Sequence, residues 1–540
     1  MTSTRTDADG GTGPPPPGTA PHGPVPDPRR ARPGRAPGRV WAIALAIGAA
    51  VAIAAYVVMP AGGPGPVELE GDADLAATVA EAIEGRETQV QGLSVTVIDG
   101  DDTAAVTGGT ADGSAPVTAD TPFETGSVFK VVTAMALADM ADDGTTSLDR
   151  TLGDVFPDVE FASPDTAAIT LEQLANHQSG LERVPAEVLS SASSHTFLTT
   201  DPYRAFPPLT ESLAAAVPRN QGEWAYSNFG FAVLGEALAR EAGTSYAEVV
   251  HERVLGPVGM DDTFILGADT DTVPEGAALP HMEAGARSQP WNAVEYAPAG
   301  IGTWTTPADL ERFVRALMDG TAPGMAATEA AYDGPAEETR LGLAWMTTDF
   351  GDGVQLVQHS GGTFGSTAFV AFQDDRGVIA LSNSFQIDVS LVGPRALGAP
   401  EVVTVAEGGM SFSPAVGLGT TLPIVLLPVL LAVTLMVRRR TLIGQRPLDR
   451  LRIVSMPLGA LAVLLAALRT GSWVYTPPVL WALAIGAVAA SVAVGAWFWP
   501  RVAVNAARWR WLHAVFFAVS VAASLTLGGT MLYGLAAANG

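Results

Sequence analysis

The sequence predicts an α+β domain, an antiparallel sheet flanked by helices with a helical insertion, joined to five transmembrane helices. Two observations carry this prediction. Strand-patterned segments stand near both ends of residues 75–390, and helix-patterned segments fill the middle of that region. One apolar stretch without charged residues precedes the region and four follow it, and their lengths approach or reach what a bilayer requires.

The first elements of the domain are a helix and a strand pair. Apolar spacing predicts a helix from Ala73 to Ile83. Gly92–Asp99 and Thr103–Gly108 flank an Asp-Gly-Asp-Asp turn, and this arrangement predicts a β-hairpin. A turn signal before the apolar run from Val128 to Met140 predicts a helix that starts near Ser127.

The rest of the domain carries two helix signals and four strand signals. Thr306, Pro307 and Asp309 supply an N-cap, a proline at the first helical position and an acidic third residue before a helical pattern. Another helix is predicted from Phe229 to Arg240. In four segments, apolar and polar residues alternate and turn residues follow, as in antiparallel strands. These segments are Leu341–Thr347, Val354–His359, Ser366–Gln373 and Val378–Asn383.

Charge and composition exclude several classes of function. The chain has 540 residues, and its 56 acidic residues against 30 basic ones give a net charge of -26. A surface of that sign repels phosphates, so nucleic acid is not expected as a partner. The chain contains no cysteine, which excludes disulfides, thiolate metal sites and a thiol nucleophile. We expect neither a metal nor an organic cofactor.

The apolar stretches divide the chain into regions. We predict a disordered Pro/Arg-rich tail at 1–39, a transmembrane helix at 40–59, linkers at 60–74 and 391–415, the folded domain at 75–390, and a membrane block at 416–540 with helices at 416–437, 453–468, 479–499 and 511–535. A cleaved signal peptide is the alternative for the first stretch, although its lead-in is long for one.

Arginines indicate the orientation in the membrane. They are concentrated in the tail, in the loop from Arg438 to Arg452 and in the loop from Arg501 to Arg510. The positive-inside rule then predicts a multi-pass protein of the cell membrane with a cytoplasmic N-terminus and an extracytoplasmic domain. Lipid is the expected partner of these helices. Small residues from Ala482 to Ala490 favour close helix packing, including with a membrane protein partner, although alanine-rich composition explains them equally well.

Ser127 and Lys130 are the first candidates for chemistry. They are three residues apart at a predicted helix start, so their side chains share one face beside the positive end of the helix. Lys130 is the only lysine of the chain. An unprotonated amine can accept the serine proton, whereas a guanidinium cannot. A chance Ser-x-x-Lys is the alternative interpretation.

Two further motifs are weaker by themselves. Tyr226-Ser-Asn228 offers a phenol as proton shuttle and an amide that holds a substrate carbonyl or the lysine, or it is an ordinary loop before a helix. His359-Ser-Gly361 and the following Gly362 stand at the end of a predicted strand. Glycines there let a substrate backbone approach and present an N–H group to an oxyanion.

In their order and spacing, the three motifs resemble those of the serine β-lactamase and penicillin-binding-protein-like hydrolases. The resemblance is strongest with the class C-like branch, which holds D-Ala-D-Ala carboxypeptidases, D-aminopeptidases and esterases. It covers residues 75–390 and includes the segments Phe123–Lys130, Leu171–Leu181, Trp224–Asn228, Pro298–Gly302 and His359–Gly362.

The resemblance implies a β-lactamase/transpeptidase-like fold and a set of roles. It implies that Ser127 is the acylated nucleophile and that Lys130 and Tyr226 share the general-base work. It also implies that substrate is bound by Asn228, His359 and Gly361. The backbone amides of Ser127 and Gly362 would form the oxyanion hole.

One departure from the family concerns the third motif. His359 stands where the β-lactamases proper carry lysine, and a mostly neutral histidine holds a substrate carboxylate less strongly. We therefore expect inefficient β-lactam hydrolysis. His177, in the second of the matching segments, is interpreted as a packing or hydrogen-bonding residue and not as a catalytic one.

The sequence thus predicts a membrane-anchored extracytoplasmic serine hydrolase that forms an acyl-enzyme with a peptide or ester. Cell-wall D-amino-acid peptides or a small ester are the expected substrates. The alternative is a receptor for a β-lactam or wall fragment, acylated at the same serine with little turnover. A degenerate hydrolase kept as a scaffold is a third hypothesis, against which the intact Ser127, Lys130 and Tyr226 argue.

Overall fold

The computed structural model describes residues 34–58, 66–185, 201–282, 287–399, 414–470, 473 and 476–539. The predicted tail at 1–39 therefore lies mostly outside the described residues. The strands of the described part are β1 (Leu69–Gly71), β2 (Gly92–Asp99), β3 (Asp102–Gly109), β4 (Phe123–Glu124), β5 (Phe264–Ile265), β6 (Thr303–Thr305), β7 (Tyr332–Asp333), β8 (Thr339–Leu341), β9 (Met346–Asp349), β10 (Gln355–Gly362), β11 (Thr367–Gln373) and β12 (Arg376–Ser382).

The main sheet joins strands from both ends of the domain. In the described residues its order is β1-β3-β2-β12-β11-β10-β9-β8-β7, with every pairing antiparallel. The predicted hairpin of β2 and β3 is confirmed, and β2 pairs along its length with β12, where Thr96 lies opposite Ile379. A smaller sheet of β4, β6 and β5 carries the segment that leads into Ser127.

Helices cover both faces of the main sheet and form the insertion. The α-helices are α1 (Gly38–Val58), α2 (Ala73–Ala82), α3 (Phe129–Asp142), α4 (Leu152–Val155), α5 (Pro164–Ala167), α6 (Leu171–Ala175), α7 (Leu209–Ala215), α8 (Asn228–Ala242), α9 (Tyr246–Val250), α10 (Gly256–Val258), α11 (Pro307–Met318), α12 (Val389–Ala396), α13 (Pro414–Arg438), α14 (Arg450–Thr470), α15 (Val479–Phe498) and α16 (Arg510–Asn539). A π-helical turn at His251–Leu255 connects α9 to α10.

The sheet separates two hydrophobic cores. Successive side chains of a strand point to opposite faces, and β11 shows this directly, because Val370 lies in the larger core and Phe369 in the smaller one. The larger core contains α3, which is buried along nearly its whole length, together with α8 and α11. The smaller core packs α2 and α12 against the other face.

Local signals in the sequence account for several helix starts. The hydroxyl of Thr306 accepts a hydrogen bond from the backbone N–H of Asp309 at 3.1 Å, with proline at the first position of α11, as predicted. Asp72 caps α2 in the same way, with 2.9 Å between its carboxylate and the N–H of Leu75. These caps satisfy backbone donors that the first helical turn leaves without partners.

The structure corrects three predicted boundaries. The strand predicted at Leu341–Thr347 is two strands, β8 and β9, because Ala344 adopts a left-handed φ of 61° and turns the chain between them. Residues 60–74 and 391–415 are not linkers throughout. Strand β1 pairs with β3, and α12 packs against β11, β12 and α2, so both segments contribute to the domain.

Five helices of the described residues are long and apolar enough to cross a membrane: Gly38–Val57, Leu418–Arg438, Arg450–Leu468, Val479–Arg501 and Arg510–Tyr533. They match the five predicted stretches. The third is longer than the predicted 453–468, because the helix continues through Arg450 and Arg452 at one end.

The first of these helices packs closely against the fourth. A Cβ atom added to Gly486 of α15 would lie 2.4 Å from the carbonyl oxygen of Gly48 in α1, so only glycine fits at this contact. An added Cβ on Gly48 would in turn lie 3.1 Å from the Cβ of Ala490. The small residues singled out in the sequence therefore form a helix–helix interface within the chain.

Candidate active site

Ser127 and Lys130 meet where the smaller sheet leads into α3. Ser127 lies in a 3₁₀ turn, Gly126–Val128, directly before the helix. The Nζ atom of Lys130 donates hydrogen bonds to Ser127 Oγ at 2.9 Å and to the carbonyl oxygen of Ala299 at 2.7 Å. Lys130 is fully buried, whereas Ser127 is only half-buried. The hydroxyl is thus open to a substrate while the amine beside it is enclosed.

Glycines let three backbone segments meet around this serine. A Cβ on Gly361 would lie 2.2 Å from the carbonyl oxygen of Thr125 and 3.0 Å from the amide nitrogen of Ser127. One on Gly300, whose φ is 93°, would lie 1.8 Å from the carbonyl oxygen of Gly126. No side chain fits at either position. The end of β10 therefore lies directly against the turn that carries Ser127.

The amide of Gly362 belongs to the same contact. A Cβ on Gly126 would lie 2.6 Å from the backbone nitrogen of Gly362. The structure thus brings the amides of Ser127 and Gly362, two groups of the predicted oxyanion hole, to neighbouring backbone segments. Gly362 itself is exposed at the end of β10, and Gly361 is half-buried.

Tyr226 and Asn228 lie at the start of α8. The Nζ atom of Lys130 is 4.8 Å from the centroid of the Tyr226 ring. Ser227, between the two motif residues, caps the helix, because its hydroxyl accepts from the N–H of Gly230 at 2.8 Å. The side-chain Nδ2 of Asn228 donates to the hydroxyl of Tyr203 at 2.6 Å. The second motif is therefore fixed beside Lys130 by a helix cap.

His359 lies inside the protein and is electrically neutral. Its side chain is fully buried, and burial, together with the positive charge of Lys130, lowers the pKa of His359 to about 3. Its Nδ1 lies 2.6 Å from the carbonyl oxygen of Ser360, which can only accept, so Nδ1 carries the ring proton. A small cavity of about 10 Å³ is lined by both His359 and Tyr226. The ring thus faces the interior side of the site.

His177 supports the second motif from behind. Its Nδ1 accepts a hydrogen bond of 3.2 Å from the backbone N–H of Ser227, and its ring lies 4.4 Å from the ring of Tyr226, centroid to centroid. Burial and the charge of Lys130 hold the pKa of His177 well below its usual range. These contacts confirm His177 as a packing and hydrogen-bonding residue, as predicted.

A buried carboxyl group lies three residues before Ser127. Glu124 accepts hydrogen bonds from the hydroxyl of Thr363 at 2.6 Å and from the backbone N–H of Trp291 at 2.8 Å. Burial raises the pKa of Glu124 to about 7, although these hydrogen bonds act in the opposite direction. The carboxyl group therefore joins the strand before the serine to the loop after Gly362.

Several contributors to the site escape sequence reasoning. Glu124 and Ala299 lie within recognised segments, but nothing in the sequence gives them a role. Tyr203 and Arg183 come from the insertion, and the guanidinium carbon of Arg183 lies 4.8 Å from the centroid of the Tyr226 ring. Among the residues that the structure describes, no group of three or more His, Asp and Glu side chains is arranged to hold a metal ion.

Comparison with known proteins places this geometry in a family. A model of the Beta-lactamase family matches residues 74–397, more than half of the chain. Penicillin-binding protein 4 of Amycolatopsis lactamdurans is 27% identical over 49% of this chain and 72% of its own length. The D-alanyl-D-alanine-carboxypeptidase/endopeptidase AmpH of Escherichia coli is 25% identical over 48% of this chain and 69% of its own length.

The fold agrees with this match. A class C β-lactamase superposes with a TM-score of 0.51 and 22% identity, over 61% of this chain and 97% of the other. Two further relatives are covered over only 61% and 62% of their own length. The matched region contains all strands of the main sheet except β1, together with the insertion and all the predicted site residues. The chain belongs to the β-lactamase family of serine hydrolases.

Proposed function

We propose that this protein is a membrane-anchored, extracytoplasmic hydrolase that acts through an acyl-enzyme on Ser127. The hydrogen bond of 2.9 Å between Lys130 Nζ and Ser127 Oγ is the observation that carries the proposal. An ammonium without water around it is destabilised relative to the neutral amine, and Lys130 is fully buried. In the molecules whose Lys130 has lost its proton, the amine would accept the hydroxyl proton as Ser127 attacks.

The remaining residues receive roles that fit their positions. In acylation, the bond from Ser127 Oγ to the substrate carbonyl carbon forms and the bond to the leaving amine or alcohol breaks. We assign delivery of the proton to that leaving group to Lys130 and Tyr226 together, because the ring of Tyr226 faces the amine. Water then hydrolyses the acyl-enzyme, which restores the hydroxyl of Ser127 and releases the acid.

Backbone amides would stabilise the charge that develops in these steps. The N–H groups of Ser127 and Gly362 are the proposed oxyanion donors, supported by the close approach of the two segments. Asn228 is the proposed ligand of a substrate carbonyl. One N–H of its Nδ2 donates to Tyr203, so the second N–H of the same nitrogen would donate to the substrate carbonyl.

The proposed substrates are D-amino-acid peptides of the cell wall or small esters. The carboxypeptidase/endopeptidase and penicillin-binding names of two relatives support a peptide substrate. The neutral, buried His359 argues against strong capture of a free carboxylate at the end of β10, as a β-lactam would require. We therefore propose that peptides and esters are hydrolysed faster than penicillins.

The proposed location follows from charge along the membrane helices. Five helix ends are rich in arginine: the start of α1, the end of α13, the start of α14, the end of α15 and the start of α16. Five successive crossings of a membrane place all of these ends on the same side. The positive-inside rule assigns these ends to the cytoplasm. The hydrolase domain, between α1 and α13, would then face the cell exterior.

Labelling experiments separate this proposal from the receptor alternative. The full-length protein would be treated with a fluorescent fluorophosphonate or a fluorescent penicillin, and mass spectrometry would locate the modified peptide. We expect modification at Ser127 and none in Ser127→Ala. Hydrolysis of a D-alanyl peptide or a small ester in many turnovers supports the hydrolase, whereas a penicillin adduct that persists for hours, with no turnover of any ester or peptide, supports the receptor. Modification at another residue refutes the site.

A further inference from the structure

A basic and apolar cavity lies at one end of the membrane helices. It has a volume of about 600 Å³ and is formed by the segment before α1, the end of α13 and the end of α15. Three arginines line it, Arg35, Arg438 and Arg439, together with five apolar residues, Ala36, Trp41, Met436, Val437 and Phe498. Along the chain, α1 and α13 lie between this cavity and the hydrolase domain, and no residue of that domain lines the cavity.

The charge around the cavity selects an anion. None of its lining residues is acidic. From residue 414 to the end of the chain, Asp449 is the only acidic residue. Asp449 is buried and already paired, because its carboxylate accepts from the guanidinium of Arg452 at 2.6 Å and from the backbone N–H of the same residue at 2.9 Å. The lining of the cavity thus carries three arginines and no carboxylate.

The apolar part of the cavity selects an amphipathic anion. Val437 is exposed and Trp41 is half-buried in the first turns of α1, so both present apolar surface to the cavity, whereas Met436 and Phe498 are buried. Tryptophan is typical of the boundary between hydrocarbon and water, and Arg438 ends the second span at that level. Inorganic phosphate would use the arginines alone. A lipid headgroup would bind the same arginines, and the first carbons of its acyl chains would cover the apolar part of the cavity wall. Free phosphate would leave that part of the wall in contact with water.

We propose that this cavity binds an anionic phospholipid, with the headgroup phosphate held by Arg35, Arg438 and Arg439 and the start of the acyl chains against Trp41 and Val437. The inference rests on the proposed insertion of the five helices in a membrane. A basic residue near an anionic lipid contributes roughly a fivefold gain in binding, so three together favour an anionic over a zwitterionic lipid by roughly a hundredfold.

Native mass spectrometry tests the site with the full-length protein in detergent. The probes are dioleoyl phosphatidylglycerol and dioleoyl phosphatidylcholine at equal concentration. We expect the native chain to retain phosphatidylglycerol with a large preference. The triple variant Arg35→Gln, Arg438→Gln, Arg439→Gln should lose most of that preference. A single Arg35→Gln, outside the helices and therefore tolerated by the fold, should lower it roughly fivefold.

A matched control uses three exposed arginines at the same end of the bundle that do not line the cavity. The variant Arg446→Gln, Arg508→Gln, Arg510→Gln removes the same charge and should keep the preference within about twofold. If both triple variants lose the preference for phosphatidylglycerol equally, the lipid is attracted by the overall positive charge of this end of the bundle and the cavity is not a specific site. Equal retention of the two lipids by the native chain would also overturn the proposal.

Three further measurements complete the test. Millimolar inorganic phosphate should not displace phosphatidylglycerol. If it does, the cavity binds any small anion and the proposal of a lipid site is wrong. A separate measurement asks whether alkaline carbonate extracts the native chain from membranes. An extracted chain is not inserted in the membrane, and this outcome is distinct from an inserted chain that does not select anionic lipid. The Tm of each variant in detergent reports whether it is folded.

Discussion

The carboxyl group of Glu124 accepts a hydrogen bond of 2.6 Å from the hydroxyl of Thr363. The two residues come from different sheets, β4 and the loop after β10, and Thr363 follows Gly362 directly. Glu124 also accepts the N–H of Trp291, so one carboxyl group joins three segments around the site. The protonation of Glu124 therefore concerns the stability of the assembled site.

We predict that Glu124 makes the domain less stable as the pH rises. Its pKa is raised from 4.5 to about 7, so the folded protein holds a proton that the unfolded chain has released between these values. The contribution of this proton to the free energy of unfolding is about 3 kcal/mol. It is fully present below about pH 4.5 and is lost as the pH rises through about 7. Glu124→Gln removes this loss, so the Tm of the variant should rise relative to the native Tm as the pH is raised from 5 to 8.

The exposed Glu223 provides the control for this measurement. Glu223→Gln makes the same chemical change in the same domain and should leave the pH dependence of the Tm as it is in the native chain. If Glu124→Gln has the native pH profile, burial of the carboxyl group has no energetic consequence and the prediction is wrong.

Lys130→Arg should leave the domain folded but slow the acylation of Ser127. The guanidinium keeps the positive charge but does not give up its proton, so it cannot take the proton of the hydroxyl 2.9 Å away. Loss of a general base typically costs roughly 10²–10⁴-fold in rate. The rate of fluorophosphonate labelling measures the effect, with circular dichroism as the check on folding.

Arg253→Lys is the control variant, because it also exchanges arginine and lysine but does so away from Ser127. Arg253 pairs with Asp139 at 3.0 Å far along α3 from the serine, and either basic side chain can serve there. Its labelling rate should equal the native one. A folded Lys130→Arg protein that labels at the native rate would leave Lys130 with no part in the chemistry.

His359→Lys should shift substrate preference towards peptides with a free carboxylate. Burial and Lys130 lower the pKa of His359 to about 3, so the native ring is neutral from pH 6 to pH 8 and provides no cation. A lysine would add a charged donor, worth roughly tenfold or more for a paired carboxylate. The measurement is kcat/KM for a D-alanyl peptide with a free C-terminus and for the same peptide with an amide.

The neutral variant His359→Gln separates charge from shape. It should leave the ratio of the two kcat/KM values near the native ratio, whatever happens to the absolute rates. An unchanged ratio in His359→Lys would show that the carboxylate of a substrate does not reach this position.

The proposed orientation predicts the activity of fusion proteins. A reporter that is active only outside the cytoplasm should be active when fused after Gly408, before α13, and inactive when fused after Arg440, beyond α13. One crossing of the membrane separates the two positions. The reverse pattern would place the hydrolase domain in the cytoplasm and exclude cell-wall peptides as its substrates.

Gly486→Val should weaken the contact between α1 and α15. The Cβ of any other residue would lie 2.4 Å from the carbonyl oxygen of Gly48, so the helices must separate, at a cost of about 1–3 kcal/mol. The Tm of the full chain in detergent measures the loss. Gly529→Val is the control, because no atom lies within 4 Å of its added Cβ, and its Tm should remain near the native value.

The elements that the sequence predicts well are those with local causes. Capping residues before α11, the turn between β2 and β3 and the uncharged apolar stretches act within one turn or one helix, so their patterns are visible in the chain itself. The split of Leu341–Thr347 was missed because Ala344, a residue that rarely adopts a positive φ, is held there by a contact with a distant segment. Its backbone N–H donates to the carbonyl oxygen of Ala175 at 2.8 Å.

The site divides in the same way. Ser127 and Lys130 share a hydrogen bond because helix geometry brings residues three apart onto one face, and spacing alone predicts this. The contact of Lys130 with Ala299 and that of Glu124 with Thr363 join residues 169 and 239 positions apart. Such contacts depend on the order of strands in the sheet, which no local pattern encodes.

The packing of α1 against α15 sets a time scale for biosynthesis. About 420 residues separate the end of the first helix from the start of its partner, and at roughly 5–20 residues per second a ribosome needs about 20–80 seconds to make them. In the proposed membrane arrangement, the face of α1 that carries Gly48 has only lipid or another protein to contact during that interval. The hydrolase domain therefore has time to fold before its first anchor acquires its permanent neighbour.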